Sequence, residues 1–241
     1  MSGHSKWSTI KHKKGKEDAK RGKAFAKLSR YITVAAKKGG DPDYNPDLKL
    51  AIDRAKSENM PNDNIERAIK KGTGEGDSAN YEEVTFEGYG PAGIAVIVTT
   101  LTDNRNRTVP NVRHAFDKNN GNLGTTGSVT FMFNHAGTII IEKTDDLDED
   151  ELTMAALDFG ADDVVLNEDA YEIITSVENY LDVKNGLEEN YTIAYSEIGY
   201  VPQNYQKLDN PEDIKLMERM LDMLEEDDDV QDVYHNWEVE E

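Results

Sequence analysis

The stretch HSKWSTIKHKKGK places Lys6, Lys11, Lys13, Lys14 and Lys16 around Trp7 and His12. Ammonium groups at this density neutralise phosphates and release condensed counterions, and an indole face can stack on an exposed base. The same residues have a plainer use, in which Trp7 and Ile10 pack on neighbouring helices and the lysines are merely solvated. The positive charge continues through Lys20, Arg21, Lys23, Lys27 and Arg30, which favours nucleic acid as the partner.

A second candidate is TDNRNRT, residues 102–108, where a strand pattern passes into a helical one. Arg105 and Arg107 could reach phosphates, and Asn104 or Asn106 could hydrogen-bond bases or RNA backbone. Asn106 or Thr108 could instead cap the following helix. The two roles are compatible.

Other chemistries find no foothold. With no cysteine there is no thiolate nucleophile, disulfide or cysteine-bound zinc. The five histidines, at 4, 12, 114, 135 and 235, show no ligand spacing. DDLDEDE at residues 145–151 lacks the glycine and terminal glutamate of a calcium loop and reads as the acidic first turn of a helix. GYGPAG at residues 88–93 satisfies the glycine pattern of a dinucleotide motif, but a strand follows where a helix should, so a tight turn is expected. No nucleophile and base are grouped in a catalytic context. Neither enzymatic activity, nor a metal, nor a cofactor is expected.

Three helices must position the first basic region. From Glu17 to Lys38, Phe25, Leu28, Ile32 and Ala35 share one face, and Gly39-Gly40 end the helix. A second helix starts at Asn45-Pro46 and buries Leu48, Ile52 and Ala55; a third follows Asn59-Met60-Pro61, buries Ile65, Ala68 and Ile69, and closes at Gly72. GTGEGDSAN, residues 72–80, then reads as a linker.

Beyond it the period changes to that of strands: VTFEGY and IAVIVTTL, a helix over 108–118 with Pro110 in its first turn, and a strand SVTFMF. The strand GTIIIEK, a helix over 148–159, strands VVLN and YEIIT, a helix over 177–189 and the strand YTIAYSEI follow in ferredoxin-like order. A last helix over 211–226 and the strand VQDVYHNW cannot bury their faces alone, so they return to complete the set begun near residue 82. The expectation is an α+β chain of three domains. A basic helical bundle occupies residues 1–79, a split α/β domain residues 80–134 and 205–241, and an inserted ferredoxin-like domain residues 135–204.

The net charge is −21, which alone opposes a polyanion partner. The distribution reverses that: residues 1–40 hold 12 Lys and Arg against Glu17 and Asp18, whereas residues 76–241 hold 9 against 38 acids. At a screening length of about 8 Å a distant acidic body is hidden from a bound phosphate. No apolar run is long enough for a membrane span and no secretory signal is visible, so the cytoplasm is the expected compartment.

MSGHSKW with IKHKK, AKRGK at residues 19–23, NMP with NIERAIKKG, EGYGPAG, TDNRNRT and VRHAFDKNNGNLG running into GSV together resemble the YebC/PmpR family, to which mitochondrial translational activators are related. The motifs cover residues 1–135 nearly continuously. Beyond residue 135 the likeness lies in the order of elements. Gly39-Gly40 stands where many relatives have three glycines, and Asn119-Asn120-Gly121 where a glycine pair is usual; both changes affect loops. The resemblance implies a helical domain followed by two α/β domains, no known enzymatic activity, and a transcriptional regulator that binds DNA. It also implies the alternative of a translation factor acting on ribosomes stalled at proline-rich stretches. The residues alone leave DNA, ribosomal RNA and an acidic protein partner of the basic arm open, with a slight lean to RNA over sequence-specific DNA because no recognition helix with base-reading side chains at its start is visible.

Overall fold

The computed structural model describes residues 21–74 and 81–239. They form two compact units, one from residues 16–129 and 208–235 and one centred on residues 130–207.

In the first unit, α1 (Arg21–Ala36), α2 (Pro46–Ser57) and α3 (Asn62–Gly72) enclose a core of Leu28, Ile32, Ala35, Leu48, Ala51, Ile52, Ala55, Met60, Ile65 and Ala68, with Phe25 packed at its margin. Asn45 joins two helix ends. Its Oδ1 accepts from the Leu48 amide at 3.2 Å, capping α2, while its Nδ2 donates to the carbonyls of Ala35 and Gly39 at 2.8 and 2.7 Å, where α1 runs out of partners.

The same unit contains β1 (Glu82–Tyr89), β2 (Ala95–Thr102), α4 (Arg105–Asp117), β3 (Asn122–Leu123), α7 (Pro211–Glu226) and β8 (Val230–His235). Its sheet is antiparallel in the order β3-β1-β2-β8. The GYGPAG stretch is the β1–β2 turn, with Ala92 and Gly93 at φ 53° and 84°. No α-helix starts there; Pro91–Gly93 form a single 3-10 turn.

The second unit carries β4 (Phe133–Glu142), α5 (Glu149–Asp158), β5 (Asp163–Leu166), β6 (Ala170–Thr175), α6 (Tyr180–Glu188) and β7 (Tyr195–Pro202), with the strand order β5-β6-β4-β7. This is the ferredoxin-like arrangement. The first sheet repeats it, except that the slot held by β6 is filled by β1, the first strand to arrive.

Four sequence expectations are corrected. SVTFMF is not a strand: the slot beside β1 belongs to β3, and the buried Glu87 carboxylate takes the amides of Gly127 and Val129 at 2.7 and 2.9 Å, which turns the chain into a short helical turn at Thr130–Met132. The helix expected at Thr108 starts at Arg105, because Asn104 is the cap and accepts from the Arg107 amide at 3.2 Å. Pro110 therefore sits in its second turn. The last strand of the inserted set starts at Tyr195, since the Tyr191 amide still bonds back to the Leu187 carbonyl at 2.9 Å.

Candidate nucleic-acid interface

Of the cations proposed from sequence, Lys6, Lys11, Lys13, Lys14, Lys16 and Lys20, with Trp7 and His12, lie outside the described residues. Arg21 opens α1. Lys23, Lys27 and Arg30 follow at a helical spacing that puts them on one side of α1, facing the C-terminal end of α7. Lys23 Nζ donates to the Glu226 carbonyl at 3.4 Å and Lys27 Nζ to the Glu225 carbonyl at 2.7 Å. Arg30 Nη1 donates to the carbonyls of Asp228 and Leu101 at 2.7 and 3.1 Å and to Asp229 Oδ1 at 3.2 Å.

The physical reason lies in α7 itself. Its last turn holds Glu225 and Glu226 and no base, so acids stand at the negative end of the helix dipole next to carbonyls without intrahelical partners. Helix α1 supplies the missing cations. Part of the charge asymmetry in the sequence is thus internal complementarity.

Asp229 gathers the second candidate region. Its side chain is 2 % exposed and receives Arg107 through Nε–Oδ2 at 3.0 Å, Nη2–Oδ1 at 2.6 Å and Nη2–Oδ2 at 2.7 Å. Thr108 Oγ1 donates to it at 2.7 Å and Thr102 Oγ1 at 3.2 Å. Burial alone would raise this carboxyl, but the hydrogen bonds from Arg107, Thr108 and Thr102 and the Arg107 charge outweigh it and hold it below its ordinary value. Arg107 is held above its ordinary value by its bonds to Asp229 and Asp103. Arg54 pairs with Asp232 of β8 through both guanidinium ends.

The remaining residues of TDNRNRT divide cleanly. Asn104 is spent as the helix cap. Arg105 and Asn106 are exposed, and the Arg105 guanidinium makes no ion pair among the described residues. The sequence reading missed other exposed bases: Arg113 on α4, Lys118 at its C-terminal cap, and Arg67, Lys70 and Lys71 on α3. The spacing of Arg67 and Lys71, four apart on one helix, was the available signal. Among the described residues no group of three or more metal-ligating side chains converges, and no helix is long and apolar enough to cross a membrane.

Two family models match, one described as the TACO1/YebC protein N-terminal domain over residues 5–75 and one as the TACO1/YebC second and third domain over residues 81–237. The chain belongs to the TACO1/YebC family. A relative in Finegoldia magna, named "Probable transcriptional regulatory protein", is 54 % identical over 242 residues and aligns over 100 % of both chains. One of the same name in Acetivibrio thermocellus is 54 % identical over 239 residues, covering 98 % of this chain and 99 % of its own. Among solved structures, a conserved hypothetical protein of Aquifex aeolicus superposes with a TM-score of 0.85 at 45 % identity, over 98 % of each chain. This TACO1/YebC chain therefore has a fold seen experimentally in a relative that it matches over nearly all of both chains.

Proposed function

We propose that this TACO1/YebC protein is a nucleic-acid-binding regulator of transcription that acts in the cytoplasm on DNA and has no catalytic role. The observation that carries this is end-to-end identity of 54 % with proteins named as transcriptional regulators. Those names favour transcription over the ribosomal alternative. The physical support is the first 40 residues, with 12 Lys and Arg against two acids, backed by the exposed Arg67, Lys70 and Lys71 of α3.

Duplex binding would come first from Lys6, Lys11, Lys13, Lys14 and Lys16 on phosphates, with Trp7 and His12 beside them, and from Arg105 as a second point of contact. Lys23, Lys27, Arg30 and Arg107 support this surface indirectly, by fixing α1 and α4 on Asp229 and the end of α7.

The test is binding of promoter duplex and co-sedimentation with ribosomes in the same buffer at about 0.15 M salt. Duplex binding whose salt slope falls by about two when Lys13→Glu and Lys14→Glu are combined supports the proposal. Migration with ribosomes and no retention of duplex overturns it.

A further inference from the structure

Helices α1 and α3 touch closely at one place and part at another. Gly72 sits so near α1 that a Cβ there would lie 2.3 Å from the Thr33 carbonyl oxygen and 2.6 Å from the Ala36 methyl. Away from this contact the small side chains of α1 leave a groove of about 360 Å³, bordered by Ser29 and Arg30 on one side, Asn64, Arg67 and Lys71 on the other, and Tyr81. None of the contacts to α7 described above fills it.

Its chemistry is specific. Arg67 is held in place by its own helix, with Nε donating to the Asp63 carbonyl at 3.1 Å and Nη2 to Asn64 Oδ1. Nη1 has no partner among the described residues. Lys71, one turn further on, is exposed and makes no ion pair there either. Two cations therefore converge on the same space. The Arg30 guanidinium carbon lies 5.1 Å from the centre of the Tyr81 ring; Arg30 is itself anchored on Asp229 at 3.2 Å, so it steadies the aromatic plane. A fixed aromatic ring beside two cations, with an amide and a hydroxyl between them, matches a nucleotide: phosphate to the cations, base to the ring.

Bases inside a duplex have both faces covered by their neighbours, so only an unstacked one can reach a ring in a recess. We infer that the α1–α3 groove is a subsite for one unstacked nucleotide of a single-stranded nucleic acid, its phosphate on Arg67 and Lys71 and its base against Tyr81. This rests on the nucleic-acid-binding function proposed above and adds a strand preference to it.

The experiment is fluorescence anisotropy of the full chain with a labelled short single strand, as RNA and as DNA, and with the matching duplex. Tyr81→Ala should weaken single-strand binding about tenfold and leave duplex binding unchanged, Tyr81→Phe should restore it, and Lys71→Glu should weaken single-strand binding more than duplex binding. The RNA and DNA arms identify which strand the groove takes. Equal loss on single strand and duplex, or no loss with Tyr81→Ala, overturns the subsite and leaves the general function standing. If the unaltered chain binds duplex but neither single strand, the subsite alone falls. If it binds no nucleic acid at all, both fall.

Discussion

Gly72 of α3 lies against the Thr33 carbonyl of α1 with no room for a side chain, a Cβ there falling 2.3 Å from the oxygen. Thr33 Oγ1 in turn shares its proton between the Ser29 carbonyl of its own helix at 2.7 Å and the Ala68 carbonyl at 3.2 Å, one turn before Gly72, so the crossing is fixed mainly by the missing methyl, with a longer hydrogen bond beside it. Gly72→Ala should push the helices apart and cost about 1–3 kcal/mol, the range of overpacked cores. Urea unfolding followed by circular dichroism measures it, and an unchanged midpoint would refute the close crossing.

The Asp229 carboxylate accepts from four side chains, Arg30, Arg107, Thr102 and Thr108. Asp229→Ala leaves Arg30 without its acid and Arg107 with Asp103 alone, and empties the bonds from Thr102 and Thr108. A fully buried pair broken this way loses roughly 3–5 kcal/mol. Because Arg107 is 47 % exposed and water can replace part of the loss, about 2 kcal/mol is expected. A double-mutant cycle with Arg107→Ala should recover a coupling energy of the same sign in equilibrium unfolding.

The same carboxyl sets a pH dependence. Its folded value lies below the ordinary one, so its contribution is complete above the unfolded carboxylate value near about 4. It is lost as pH falls through the lower folded value. Stability measured from neutral pH downward should therefore drop more steeply below about pH 4 in the unaltered protein than in Asp229→Asn. Parallel acid-unfolding curves for the two proteins would contradict this.

Arg105 and Arg107 are two residues apart and should behave oppositely. Arg107→Ala removes a structural tie and should lower the unfolding midpoint with only a secondary effect on binding. Arg105→Ala should stay within about 0.5 kcal/mol of the parent in stability and reduce the salt slope of duplex binding by about one. A stability loss at Arg105, or a binding loss confined to Arg107, would reverse the assignment of the two.

Most helices were legible because their punctuation is local. Asn45-Pro46, Pro211 and Gly72 mark ends that the structure keeps, and the ferredoxin-like order of the inserted strands follows from alternation of period. SVTFMF misled because its β-branched and aromatic residues favour a strand, whereas Glu87, some forty positions earlier, claims the Gly127 and Val129 amides. Local pattern carries no trace of that competition. The candidate site was half legible for the same reason. Charge density finds Lys23, Lys27, Arg30 and Arg107, but their acceptors lie at residues 225–229, too distant for spacing to reveal. Arg67 and Lys71 were overlooked because a neighbouring acid, Glu66, makes the stretch look balanced.

The edge strand β8 pairs with β2 across the whole inserted domain, and the Arg30 to Asp229 contact spans 199 positions. During synthesis, β2 is an open apolar edge until residues 230–235 emerge, and such an edge is open to unwanted pairing. The cations of α1 likewise await an α7 that does not yet exist. Helix α1 is thus completed late: closure of so long a loop delays the native state until residues 211–235 have been made.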